Sequence, residues 1–131
     1  MIVNRWAAVL ALSNLASEKP ERHIAKILLE CMSHRDERVR KVAAYEARPT
    51  LLPEEPAFAA RILSLALDDS QSEVRRDACR RILKSATTGG SAYTVALLSL
   101  RQKLLALAAT DFYNAELIRA AIVRLELTEH Q

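Results

Sequence analysis

The sequence is short of the residues that interrupt helices. Two glycines and four prolines in 131 residues leave little material for tight turns. A P-loop or a dinucleotide fingerprint needs more glycine than this, so both are excluded. Two cysteines, Cys31 and Cys79, cannot form a disulfide framework and read as reduced thiols of a cytoplasmic protein. Neither Gly-x-Ser-x-Gly nor His-Glu-x-x-His occurs, and the chain reads as a non-enzyme. His23, His34 and His130 lack the spacing of metal ligands, so no metal or cofactor is expected. Aromatic residues are only 5% and the net charge is +3, which permits an acidic partner without demanding one. No apolar run approaches the ~20 residues of a membrane span. The apolar start, Trp6 to Leu12, is short for a signal sequence. It also keeps a register with the rest of the chain: Ala8, Ala43 and Ala78 are evenly spaced.

What is present is helix-forming. Half of the residues are hydrophobic, enough for one packed domain. Ala, Leu, Arg and Glu dominate, a composition that favours helix nearly throughout.

The chain also echoes itself. Val39-Arg40-Lys41-Val42-Ala43 returns as Val74-Arg75-Arg76-Asp77-Ala78, an offset of 35 residues. Lys26-Ile27-Leu28-Leu29 returns at the same offset as Arg61-Ile62-Leu63-Ser64. A third copy, Lys103 to Asp111, lies 42 residues beyond Arg61 to Asp69. Self-similarity at this period implies helical hairpins stacked on one another. Seven helices are expected, at about 4–16, 20–33, 36–48, 56–67, 71–86, 91–109 and 114–127. Pro20 suits a first turn, and Pro49 disfavours helix at Arg48. Ser70-Gln71-Ser72-Glu73 has the form of a capping box. Gly89-Gly90 ends a helix, and Asn114 is placed to cap the last one. The seven added residues of the sixth helix make about two turns, which would keep its apolar face in phase.

The string Asp69 to Ala78 resembles the HEAT repeat, in which an Asp closes one helix and Val-Arg-x-x-Ala opens the next. The copy at His34 to Ala43 has His34 where the Asp belongs, and the copy after Asp111 has its Arg displaced to Arg119. The resemblance implies an all-α fold: a short right-handed α-solenoid of HEAT-like hairpin repeats, one domain over 1–131. A leading helix at 4–16 would precede repeats at about 20–48, 56–86 and 91–127. It also implies a ladder between repeats, with Arg40 and Arg75 donating to Asp69 and Asp111, and a concave side lined by the Val-Arg helices. Such scaffolds mostly bind other proteins.

Equal repeat positions stack. Trp6, Lys41 and Arg76 share one position; Leu10, Tyr45 and Arg80 share the position one turn on. A stripe of Trp6, Lys41, Tyr45, Arg76 and Arg80 joins cations to aromatics, the composition of interaction hot spots and of nucleic-acid platforms. It is read as the binding face for an acidic protein, with nucleic acid as the alternative partner. Asp77 is read as the ion-pair partner of Arg81. The last helix is apolar nearly all round, from Leu117 to Leu127. It is expected to pack against a second copy or another chain, unless the long sixth helix covers it.

Overall fold

The structure, a computed structural model, describes residues 20–86 and 90–129. The expected leading helix at 4–16, Trp6, Leu10 and Gly89 lie outside the described residues. The rest is all-α, with no strand among the described residues. Seven α-helices follow in order: α1 (Pro20–Cys31), α2 (Glu37–Tyr45), α3 (Ala57–Leu67), α4 (Ser72–Ser85), α5 (Gly90–Leu98), α6 (Arg101–Ala108) and α7 (Ala115–Glu129). One 3-10 turn, Phe112–Asn114, leads into α7.

The helices divide into two layers. In one, α2 lies against α4 and α4 against α7; in the other, α1 lies against α3, which meets both α5 and α6. Each helix of the first layer also packs on the helix before it, α1 on α2, α3 on α4, α6 on α7. The spacing of apolar residues explains this. On α4, Val74, Ala78, Cys79 and Ile82 are buried, one row at helical period. On α7 the row is Ile118, Ala121, Ile122 and Leu125. Ala43 and Ala78 are fully buried, where a larger side chain would force the helices apart. Large side chains such as Leu28, Ile62, Leu63 and Leu104 complete the core, each worth about 1.5–3 kcal/mol on burial.

Several helix ends differ from the sequence-based expectation. Position 70 does not cap α4; its first turn follows Gln71, whose N–H instead donates to Asp69 Oδ1 at 2.9 Å. Asn114 does not cap α7 either. Asp111 takes that role one turn earlier, accepting from Asn114 N at 3.3 Å. Asp36 does cap α2, accepting from Arg38 N at 2.8 Å.

The expected sixth helix, 91–109, is two helices. Ser99 N–H and Oγ both donate to Ala96 O, at 3.3 and 2.6 Å, and Leu100 N–H reaches Leu97 O at 2.9 Å. Bonding to the residue three back tightens the turn and breaks the α-ladder there. The break lets both pieces follow the surface of α3 and α7. Gly90, at φ +83, supplies the left-handed backbone that opens α5. Tyr93 on α5 is buried and donates to Ala47 O at 2.9 Å, closing the chain beyond α2. Burial raises its phenol pKa above the usual value. The added residues of this segment therefore cover the neighbouring layer. The same segment covers much of α7, leaving Val123 and Leu127 as its exposed large apolar side chains.

Candidate interaction groove

The two repeated arginines reach across the turns between hairpins. Arg40 Nε and Nη2 donate to Asp69 Oδ2 and Oδ1 at 2.7 and 3.2 Å, and Arg40 Nη1 donates to His34 O at 2.8 Å. One hairpin on, Arg75 Nε donates to Asp111 Oδ2 at 2.7 Å, and Nη1 to Asp69 O at 2.8 Å. The same arginine thus clamps the turn before its own helix and the carboxylate of the next turn. Burial alone would raise the Asp111 carboxyl, but bonds from Arg75 and Asn114 outweigh it and hold it below the usual aspartate value. The bond to Asp69 likewise raises the Arg40 guanidinium above its ordinary value.

The second clamp carries more than a bridge. Asn114, buried, donates through Nδ2 to Asp111 Oδ2 at 2.9 Å and to Ser72 O at 3.0 Å. Its Oδ1 accepts from Arg76 Nε at 3.2 Å. Both Nδ2 hydrogens and the Oδ1 atom of that amide are thus engaged. The turn Asp111–Asn114 is therefore pinned to α4 at both ends. Between the pins stand Phe112 and Tyr113, 80% and 83% exposed. Exposed aromatic pairs on a rigid turn have no packing reason to be there.

These rings border a groove between α4 and the start of α7. It encloses ≈ 690 Å³, and its walls include Arg76, Arg80, Tyr113, Leu117 and Ala120. Two of the stripe residues, Arg76 and Arg80, thus lie in one place. Lys41 and Tyr45 are arranged otherwise. Glu73 sits between the two helices, 3.7 Å from Lys41 and 2.9 Å from Arg76. That acid divides the row of cations, so α2 and α4 do not present one uninterrupted basic stripe. Tyr45 is half exposed, but its ring lies under two guanidinium groups, Arg48 at 4.7 Å and Arg81 at 4.9 Å from the centroid. Each such contact is worth about 0.5–1 kcal/mol at an exposed site, which gives Tyr45 a structural role in joining α2 to α4.

Asp77 does not bond to Arg81, whose Nε donates to Tyr45 O at 3.0 Å. Desolvation instead raises the Asp77 carboxyl above its usual value, against the pull of Lys41, Arg80 and Arg76. Arg80 is exposed and makes no hydrogen bond or ion pair among the described residues. Cys79 is buried and Cys31 half-buried, both free thiols. Burial pushes them up to about 12 and about 11, so both stay protonated at neutral pH. No group of three metal-ligating side chains occurs among the described residues, and none of their helices is long and apolar enough to cross a membrane.

Phe112 and Tyr113 were absent from the sequence-based site. A signal for them exists. Aligned on Asp111 and Asp69, they occupy the positions of Ser70 and Gln71. A turn that is polar in the sister repeat is aromatic here. Compared with models of known families, with curated proteins and with solved structures, the chain matches none.

Proposed function

We propose that this chain is a short right-handed α-solenoid of HEAT-like hairpin repeats that serves as a scaffold for another protein. The repeat offset, the layering of α2, α4 and α7, and the recurrence of Arg40–Asp69 in Arg75–Asp111 support the solenoid reading. In it, α2, α4 and α7 line the concave side. The two free, protonated thiols suit a cytoplasmic setting.

The observation that carries the binding role is the pairing of exposed Phe112 and Tyr113 with Arg76 and Arg80 around one groove. Aromatic rings with Arg are the residues over-represented at the energetic centres of interfaces. The rings would supply desolvation energy, and the cations would select and steer an acidic partner. Such a module needs no catalytic group and no cofactor.

The test is co-purification from the native host, with bait carrying Arg80→Glu and Tyr113→Ala set against the unaltered chain. At least one protein should be captured by the unaltered chain and lost by the double variant, with thermal melts unchanged. If the double variant keeps every partner, the groove is not the binding surface. Nucleic acid on the same face is the second reading. Two arginines on duplex DNA would give a log–log salt slope of about −2. Glu73 and Glu116 beside the groove work against it. Sub-micromolar gel-shift affinity at physiological salt, lost in Arg76→Glu/Arg80→Glu, would put that reading first.

A further inference from the structure

We infer that the groove takes its partner as an amphipathic α-helix, with an acidic row facing α4 and an apolar row facing α7. This rests on the reading of the groove as a protein-binding site and specifies the ligand.

The two walls differ in chemistry. On α4, Arg76 and Arg80 stand one turn apart, which places their Cβ atoms about 5–6 Å from each other. Arg76 is already engaged by Glu73 and Asn114, so Arg80 is the cation with most to gain from a new carboxylate. On the α7 side the wall is Tyr113, Leu117 and Ala120, spaced i, i+4 and i+7. The walls start at the same end, because the Asn114 amide at the foot of α7 is bonded to Ser72 at the start of α4. Both rows therefore run side by side, each at helical period. A third helix laid between them meets carboxylates spaced i, i+4 on one flank and apolar residues spaced i+3, i+7 on the other.

Backbone hydrogen bonding favours a helix over an extended peptide. An extended chain in a groove brings unpaired N–H and C=O groups that must find partners. A side-chain amide, which offers donors and an acceptor together, is the group best suited to hold them. The one amide in this groove, Asn114, has both Nδ2 hydrogens and Oδ1 committed to Ser72, Asp111 and Arg76. A helix satisfies its own backbone and asks nothing of the groove in that respect. Glu116 on the α7 side sharpens the pattern, since it repels an acid placed there and leaves the acidic row only the α4 flank.

A displayed library of random peptides of about 16 residues, long enough for some 24 Å of helix, is panned against the full chain. One enriched peptide is then labelled and followed by fluorescence anisotropy and circular dichroism. The expected winners carry paired acids at i, i+4 and apolar residues at i+3, i+7. They gain helicity on binding and lose at least about tenfold in affinity with a central proline or with Arg80→Glu. Replacing the peptide's paired acids by Lys should restore binding to the Arg80→Glu chain. Arg80-dependent peptides that tolerate the central proline overturn the helix while leaving the binding site in place. If no enriched peptide depends on Arg80 or Tyr113, both the helix and the binding role of the groove fall.

Discussion

At the scale of single residues, burial separates the paired arginines from the exposed Arg80. The Arg75 side chain is 14% exposed and Asp111 1%, at 2.7 Å. Removing one member of such a pair strands the other, and Arg75→Ala should cost about 3 kcal/mol in a urea or thermal melt. Arg80→Ala, which removes an exposed charge with no hydrogen bond and only a Coulomb pull on Asp77, should change stability by less than about 0.5 kcal/mol. The bridge also sets an acid limit. Asp111 is held below the usual aspartate value of 3.8, so its contribution is present above that value and is lost as pH falls through its lower native value. The stability gap between the wild-type chain and Asp111→Asn should therefore close as pH drops below about 4. Asp77 has the opposite sign. Its carboxyl is raised by desolvation, so its charged form opposes folding at neutral pH and protonation relieves the penalty. Asp77→Asn should raise the melting temperature at pH 7 and have less effect in acid.

At the scale of elements, the turn Asp111–Asn114 is the informative piece. Its geometry comes from long-range bonds to α4 rather than from the two rings it carries. Asn114→Ala would leave Ser72 O, Arg76 Nε and Asp111 each short of a partner. It should destabilise by about 1–3 kcal/mol and broaden the amide signals of Phe112 and Tyr113, and it should weaken partner binding although both Asn114 Nδ2 hydrogens are already spent within the chain. The double helix α5–α6 is a second case. Its seven extra residues suggested one long rod, yet Ser99 tightens the ladder and splits it. The reward is Tyr93, whose hydroxyl bonds Ala47 O from inside the core. Tyr93→Phe leaves that carbonyl unpaired and should lower stability by about 1 kcal/mol.

At the scale of the molecule, the apolar face of α7 is covered by other described helices. The sequence of α7 is apolar enough to suggest a second chain on it. Packing by α5 and α6 removes most of that surface, with Ile118, Ala121 and Leu125 fully buried. Val123 and Leu127 remain, far less than the roughly 1,200–2,000 Å² of a stable interface. Light scattering at high concentration should therefore show no dimer held through α7. A dimer mass abolished by Val123→Lys would show instead that these two residues nucleate a homodimer.

The all-helical character was written in composition and period. Scarce glycine and proline, the absence of strand-rich segments and the return of Val-Arg-x-x-Ala needed no coordinates to be understood, because helix propensity and apolar spacing are local properties. Arg40 and Arg75 were legible as recurring letters, and their pairing with Asp69 and Asp111 was what the resemblance to a HEAT repeat implied. The groove was not. Phe112 and Tyr113 belong to a different hairpin from Arg76 and Arg80, and only folding carries them to one groove. Nor could sequence say that Glu73 would stand between Lys41 and Arg76, or that Tyr45 would be held by two guanidinium groups. Those outcomes depend on which side chains face each other across layers, and that is decided by the packing of helices distant in the chain.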